Sequence, residues 1–292
     1  MQHKIRKVIF PVGGLGTRFL PATKSMPKEM LPVLNKPLIH HAFDEALEAG
    51  IEQFIFVIGR DKDPIINHFD HAVEIESVLG KRSDNERLSA TQDFLIDPGN
   101  IVFIRQQEPL GLGHAVWCAR NAIGEEPFAV MLADDMFIKD GQIGIMQDII
   151  KHFQKDNSDN MIAITRVPLD ESRKYGMVKI DSGDVISDMV EKPAISETPS
   201  NFAIVGRYVL QPSVFQYLQD TEVDKTGEIQ LTNALKKMLS ITKTKAYHID
   251  ALRLDCGNYL GYLEANIRVA LTKSEFKGDV IEMLGKVLNK FG

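Results

Sequence analysis

The chain has 292 residues, 44% of them hydrophobic and 25% charged, which is the composition of a globular protein with a sizeable core. The formal net charge is −6 and the 34 lysines and arginines are spread along the chain, which argues against a dedicated nucleic-acid-binding protein. Only Cys118 and Cys256 are present, so a disulfide framework is excluded and a reducing compartment is indicated. With no signal-peptide pattern and no apolar run of roughly 18 residues, we expect a cytoplasmic protein without a membrane partner.

The first half of the chain alternates short apolar runs with amphipathic segments. Strands are predicted at residues 8–12, 54–58, 101–105 and 128–132. Helices are predicted at residues 37–49, 64–69 and 114–121, the first with a proline at its start and Gly50 just beyond its end. This alternation predicts an α/β fold with a Rossmann-like, mixed and mostly parallel sheet flanked by helices.

The second half has a different pattern. Residues 176–180 and 185–190 flank the turn sequence Asp-Ser-Gly-Asp and predict a small β-hairpin. A further strand is predicted at 203–210, with helices at 212–219 and 228–239 and a mostly helical C-terminal stretch from 259 to 290. We expect one domain over residues 1–292, with a parallel nucleotide-binding half at about 1–140 and an α+β substrate half with the C-terminal helices at about 141–292.

The loop after the first predicted strand carries the strongest chemical signal. Ligands of open α/β sheets bind beyond the carboxyl ends of the strands, and this loop reads Gly-Gly-Leu-Gly-Thr-Arg from residue 13. Glycines let backbone N–H groups surround a phosphate, and Arg18, Lys24 and Lys28 add positive charge. Phe19 stands where the dinucleotide fingerprint needs its third glycine, and no Gly-Lys-Ser/Thr is present, so neither a standard dehydrogenase nor a P-loop NTPase fits.

Residues 14–32 resemble the signature of the sugar-1-phosphate nucleotidylyltransferases, in the form Gly-Thr-Arg-Phe-Leu-Pro-Ala-Thr-Lys followed by Pro-Lys-Glu-Met-Leu-Pro. The resemblance continues in order along the chain, through Gln106 and the segments 111–115, 132–135, 175–176, 190–193, 200–201, 206–208, 227–231 and 255–258. It implies transfer of a nucleotidyl group to a sugar 1-phosphate. The form of the motifs implies UTP and glucose 1-phosphate as substrates, and UDP-glucose and pyrophosphate as products.

The resemblance also implies roles for individual residues. Arg18 and Lys28 would hold the phosphates of UTP, and together with Lys192 they form the expected catalytic set. The expected nucleotide-binding residues are Gly13, Gly14, Gly16, Thr17, Glu29, Gln106 and Gly111, with Glu29, Gln106 and the Gly111 backbone reading the uracil ring. The expected sugar-binding residues are Gly176, Glu191, Lys192, Asn201 and Val205. Asp134 and Asp255 would bind Mg²⁺, which prefers oxygen ligands and bridges phosphates.

Two alternatives stay open at this stage. The same chemistry with dTTP would make the chain a thymidylyltransferase, since base choice rests on few contacts. A non-catalytic paralogue that modulates a partner subunit is the other, although retention of the charged residues disfavours it. The family resemblance implies a homodimer or homotetramer, with residues 259–273 and 280–290 as candidate contacts. Leu110 stands where a lysine is common in the family, which removes one cation near the nucleotide.

Overall fold

The computed structural model describes residues 4–156 and 158–291. Its strands are β1 (Lys7–Pro11), β2 (Pro32–Val33), β3 (Lys36–Pro37), β4 (Gln53–Ile58), β5 (Ile101–Arg105), β6 (Phe128–Met131), β7 (Asp135–Lys139), β8 (Gln142–Ile143), β9 (Asn160–Arg166), β10 (Gly176–Ile180), β11 (Ile186–Glu191), β12 (Phe202–Leu210), β13 (Thr244–His248) and β14 (Leu252–Asp255).

The helices are α1 (Leu38–Glu48), α2 (Asp63–His68), α3 (Val73–Lys81), α4 (Asn85–Gln92), α5 (Gly111–Cys118), α6 (Arg120–Ile123), α7 (Met146–Lys155), α8 (Val214–Gln219), α9 (Leu231–Met238), α10 (Tyr259–Thr272) and α11 (Ser274–Phe291). Short 3₁₀ segments lie at Thr17–Phe19, Ala22–Lys24, Lys28–Met30, Leu169–Lys174 and Ser182–Asp184. None of the helices in the described part of the chain is long and apolar enough to cross a bilayer.

A nine-stranded mixed sheet forms the centre of the molecule, in the order β11-β10-β12-β6-β1-β4-β5, with β9 pairing to β12 and β13 pairing to β9. Strands β6, β1, β4 and β5 are mutually parallel, whereas β12 is antiparallel to β6, β9 and β10. Because β13 follows β9 and β11 opposes β10, only β11 and β12 run against the other strands of this sheet within the described residues. The predicted α/β architecture and the hairpin are thereby confirmed.

The sheet is covered by helices on both faces, as its sequence pattern requires. In β1, Val8 and Phe10 belong to one buried apolar cluster and Ile9 to the other, because successive side chains point to opposite faces. The first cluster packs against α1, α2 and α7, and the second against α5, α8 and α9. Strands buried on both faces read as continuous apolar runs, which is why the first half was readable from sequence.

Several elements were not predicted, among them the small antiparallel sheet β14-β7-β8. The helix predicted at 228–239 begins only at Leu231, and that expectation was wrong for its first turn. Ile229 is not helical there: its N–H donates to the carbonyl of Leu110, and its own carbonyl accepts from the N–H of Gly113. This pairing brings Glu228 beside the loop that precedes α5.

The chain order reverses at β1, which lies between β6 and β4. Ligands of doubly wound sheets bind in the crevice at such a switch point, beyond the carboxyl ends of the strands. The loop after β1 and the turn after β6 therefore emerge side by side.

Candidate active site

A cavity of about 440 Å³ opens beyond the carboxyl end of β1. Six of the predicted nucleotide-binding residues line it, namely Gly13, Gly14, Gly16, Thr17, Gln106 and Gly111. Gln106 is fixed at its backbone, where its N–H donates to the carbonyl of Ile58, and at its side chain, where Nε2 donates to the carbonyl of Gly111 at 3.1 Å. The structure thus assembles one wall of the cavity from the loops after β1 and β5.

Two of the lining glycines have close neighbours. A Cβ at Gly13 would lie 2.6 Å from Oε1 of Gln106. One at Gly111, which has φ +88°, would lie 2.7 Å from Cβ of Glu228. The absence of a side chain at these two positions lets the walls of the cavity contact each other. A side chain at either position would displace the groups that are expected to read a base.

Glu29, which is expected to read the base, is not among the residues that line this cavity. It is buried, and its Oε2 accepts a 2.8 Å bond from Nζ of Lys62, whose side chain is only 6% exposed. The same ammonium donates to the carbonyl of Gly14 at 2.7 Å. Glu29 and Lys62 therefore hold the glycine loop in place from behind, since a buried carboxylate needs a charged partner.

Charged groups converge at the other end of the glycine loop. An ideal Cβ on Gly257 would lie 3.0 Å from Oδ1 of Asp255, 3.3 Å from Oδ2 of Asp134 and 3.5 Å from Nη1 of Arg18. Lys28 joins them, because its Nζ donates to Oδ2 of Asp134 at 2.5 Å. The structure therefore brings together the four predicted phosphate and metal residues, although they lie far apart in sequence.

The two carboxylates fit a divalent cation of the magnesium type. Mg²⁺ is commonly bound by one or two carboxylates, with water and phosphate oxygens completing its shell. Among the described residues no group of three or more His, Cys, Asp or Glu side chains forms a metal site, so a cage made only of protein ligands is not present there. Burial alone raises the pKa of Asp134, but the ammonium of Lys28, its hydrogen bond and the charge of Arg18 outweigh burial and hold that pKa below its ordinary value.

A small apolar cluster beneath these charges fixes their positions. It contains Phe19, next to Arg18, and Leu254 and Cys256, which flank Asp255. Helix α10 packs on the same cluster, and its tyrosines anchor the loop after β1.

Both tyrosines contact Phe19 edge-on, and their hydroxyls donate to main-chain carbonyls of the loop. Tyr259 bonds the carbonyl of Leu20 at 3.0 Å and Tyr262 bonds that of Pro32 at 2.6 Å. Helix α10 is therefore part of what holds the basic loop.

Three of the predicted sugar-binding residues lie together at the start of β10 and the end of β11. A Cβ at Gly176 would lie 3.1 Å from Oε2 of Glu191 and 2.8 Å from Oγ1 of Thr232. The Thr232 hydroxyl donates to Oε2 of Glu191 at 2.6 Å, and Nζ of Lys192 lies 3.4 Å from Oε1. Lys192 is half exposed, so its ammonium is available to an anion.

The remaining two sugar-side residues are placed differently. Asn201 accepts a bond from the N–H of Val167 at its backbone carbonyl, next to the start of β12. Val205 is 1% exposed and belongs to the apolar cluster under α1 and α7. Its side chain is therefore part of the hydrophobic core and has almost no exposed surface.

Sequence reasoning missed several residues that shape the site. Glu228 lines the nucleotide cavity, and its only signal was the Gly-Glu-Ile-Gln motif in which it stands. Lys62 and Thr232 act through partners 33 and 41 positions away, and no local pattern marks them.

The family model described as "Nucleotidyl transferase" matches residues 7–271. The chain belongs to this family. It is 42% identical over 291 residues to the UTP–glucose-1-phosphate uridylyltransferase of Bacillus subtilis, covering 98% of each sequence.

Two similar solved structures contain UTP or UDP-glucose. A UTP-bound UGPase from Acinetobacter baumannii matches with a TM-score of 0.88 and 35% identity, covering 96% of this chain and 99% of that one. A UDP-glucose pyrophosphorylase complexed with UDP-glucose matches with a TM-score of 0.79 and 38% identity, covering 90% of this chain and 97% of that one.

Proposed function

We propose that the protein transfers a uridylyl group from UTP to α-D-glucose 1-phosphate, giving UDP-glucose and pyrophosphate. The observation that carries the proposal is the convergence of Arg18, Lys28, Asp134 and Asp255 next to the glycine loop that lines the cavity. Relatives that are similar over nearly the whole chain are named for this reaction, and one solved relative is complexed with UDP-glucose.

The proposal divides the site between the two halves of the single domain. Gly13, Gly14, Gly16, Thr17, Gln106 and Gly111 would contact the nucleoside, with Glu29 supporting the loop. Gly176 and Glu191 would bind the sugar hydroxyls, assisted by Asn201, and Lys192 would bind the sugar phosphate. For Val205 only a backbone contact remains, because its side chain is in the core.

The mechanism is a single in-line displacement in which the sugar phosphate attacks the α-phosphorus of UTP. A phosphate monoester is anionic at neutral pH, so no general base is required. The chain's own work is to hold two mutually repelling anions in line and to stabilise the charge on the leaving pyrophosphate. Arg18 offers a planar fork that fits two phosphate oxygens, whereas Lys28 and Lys192 act as point charges.

Mg²⁺ is the proposed cofactor, with Asp134 and Asp255 as its protein ligands. A bound Mg²⁺ would neutralise negative charge on the phosphates, which the lysine and arginine side chains of the site neutralise only in part. The chelator EDTA should abolish turnover, and added Mg²⁺ should restore it.

We place the protein in the cytoplasm as a homodimer or homotetramer. Cys118 and Cys256 are free thiols, in agreement with a reducing compartment. Leu260 of α10 and Leu288 of α11 are 79% and 71% exposed, which supports these helices as the subunit contact. Light scattering on the purified protein would give the number of subunits.

Base choice is the sharpest test of the proposal. A pocket that hydrogen-bonds uracil should reject ATP, GTP and CTP, because a mismatched base edge leaves buried polar groups unpaired. UTP should exceed dTTP in kcat/KM by about 10- to 100-fold, the size of one methyl clash or one lost hydrogen bond. Measuring dUTP as well isolates the ribose hydroxyl.

Pyrophosphate release with each nucleotide and glucose 1-phosphate gives these constants. Should dTTP equal or exceed UTP, the thymidylyl alternative replaces the proposal. Should no nucleotide give pyrophosphate, the chain is a non-catalytic paralogue.

A further inference from the structure

Arg207, in the middle of β12, is the most completely bonded side chain near the site. It is 1% exposed, and five hydrogen bonds engage all five of its N–H donors. Two go to the carboxylate of Glu45, at 3.0 and 2.7 Å, and three go to main-chain carbonyls. A guanidinium is rigid and planar, so these five acceptors are held at fixed separations.

Two of the three carbonyls bracket the turn that carries Asp134. Nη1 of Arg207 donates to the carbonyl of Leu132 at 2.8 Å, and Nη2 donates to that of Asp135 at 2.9 Å. The third is the carbonyl of Gly206 at 3.1 Å, which itself accepts from the N–H of Leu132 at 2.8 Å. Both ends of the turn are thus tied to a single planar group.

Glu45, on α1, orients this guanidinium. Its Oε1 also accepts from the N–H groups of Ile145 and Met146, each at 3.0 Å, where α7 begins. A Cβ on Gly144, which has φ +114°, would lie 2.7 Å from Cγ of Glu45, so the carboxylate is confined on that side as well. The orientation of the Glu45 carboxylate, and with it that of the Arg207 guanidinium, is therefore fixed by contacts outside the turn that carries Asp134.

Stability alone does not account for a charged pair at this depth. Well-packed apolar residues of similar volume are often as stabilising as a buried ion pair, because both ions lose their hydration. An apolar pair would not hold the carbonyls of Leu132 and Asp135 at a set distance. Asp134 lies between them, and its carboxylate must point at the space shared with Arg18 and Asp255.

We propose that Arg207, oriented by Glu45, is a positioning residue that aims Asp134 and thereby sets the affinity of the site for its divalent cation. The inference rests on the proposed function only for the kinetic part of its test. Arg207 itself touches neither the cation nor the substrates, and it acts through the turn.

Two variants and one control test this inference. Arg207→Lys keeps the charge but loses the fork, and Glu45→Gln keeps an oxygen for Ile145 and Met146 while turning an amide towards Nη2 of Arg207. The control is Asp156→Asn, which breaks a partly buried ion pair of 2.6 Å with Lys245 and does not touch the turn. Binding of Mn²⁺, measured by electron paramagnetic resonance with and without UTP, is the readout independent of turnover.

Both variants should weaken Mn²⁺ binding by about 10-fold or more and lower kcat by about 10- to 100-fold, the size expected for a misplaced charged group. The KM for glucose 1-phosphate should change less than about threefold, because none of the five hydrogen bonds of Arg207 goes to Gly176, Glu191 or Lys192. Asp156→Asn should lower the melting temperature and leave Mn²⁺ affinity unchanged. If the two variants behave like the control, Arg207 is only structural and the inference is overturned.

If Arg207→Lys does not fold, Glu45→Gln alone tests whether Arg207 has a positioning role, since this substitution replaces only one heavy atom of the side chain. Failure of the wild-type protein to form UDP-glucose would refute the proposed function. The Mn²⁺ titrations without UTP would still test the positioning role, so the two failures are distinguishable.

Discussion

Two adjacent aspartates should respond to the same substitution in opposite ways. Asp134 faces the charged groups of the site and bonds Lys28, with both side chains about one-quarter exposed. Asp135 points away, is 7% exposed and pairs with Arg253, whose Nε and Nη2 both lie 2.6 Å from its Oδ1. Asp134→Asn and Asp135→Asn therefore separate chemistry from stability with a change of one atom each.

The expected magnitudes follow from these surroundings. In Asp134→Asn the lost ion pair is partly hydrated, so the free energy of unfolding should fall by no more than about 1 kcal/mol. Loss of a metal carboxylate should lower kcat by about 10³-fold, or about 4 kcal/mol in the activation barrier. In Asp135→Asn the guanidinium of Arg253 loses its charged partner, and the free energy of unfolding should fall by about 2–4 kcal/mol.

Urea unfolding followed by circular dichroism, and initial rates at saturating Mg²⁺, measure the two quantities on the same samples. Arg253 also donates to the hydroxyl of Tyr175 at 3.2 Å, so Asp135→Asn keeps one of its contacts and should remain folded. The reasoning fails if Asp134→Asn retains kcat within tenfold of wild type. It also fails if Asp135→Asn matches the kcat loss of Asp134→Asn without losing stability.

Three further predictions concern the substrates and pH. Lys192→Met should raise the KM for glucose 1-phosphate, and Arg18→Met should raise the KM for UTP, each by about 30- to 1,000-fold because a charge-assisted contact is lost. If initial rates show that both variants affect the same substrate, the assignment of the two subsites is wrong. Gly13→Ala should raise the KM for UTP about 3- to 10-fold, because the new Cβ would meet Oε1 of Gln106 at 2.6 Å, and its effect should not add to that of Gln106→Ala in a double variant. Burial chiefly lowers the pKa of His68 to about 4 from 6.5, so the unfolded chain binds a proton first as pH falls. The free energy of unfolding should therefore drop by about 2 kcal/mol from pH 7 to pH 5, and urea titrations of His68→Gln should show that dependence removed rather than retained.

The fold was predictable where parallel strands carry apolar residues on both faces. The apolar runs at residues 8–12, 54–58, 101–105 and 128–132 correspond to β1, β4, β5 and β6, because parallel strands covered by helices leave no polar face. The runs for β7 and β14 were missed, since each carries charged residues and pairs with the other outside the main sheet. Asp135 opposes Asp255 in that pairing, a register that neither segment shows by itself.

The site was predictable where a motif gathers its residues within one loop. The loop after β1 carries most of the residues predicted for the nucleotide side, and its residues from Gly13 to Thr17 line one cavity. Glu29 is a charged residue in a phosphate loop, and only the position of Lys62, 33 residues later, turns it into a buried support. Arg207 is a similar case, since its acceptors on Asp135, Leu132 and Glu45 lie 72, 75 and 162 positions away and the Gly-Arg-Tyr motif does not indicate them.

The overall composition of the chain does not indicate an anion-binding site, and the reason is electrostatic. Lys28 bonds Asp134, Lys192 lies beside Glu191, and Arg18 points to the space that Asp255 also faces. Three positive and three negative groups add no net charge to the site, because cations placed together without acidic partners would repel one another and destabilise the folded chain. A net charge of −6 is therefore compatible with a site for two phosphorylated substrates. What distinguishes such a site is the geometry that lets each cation face an acid on one side and an open crevice on the other.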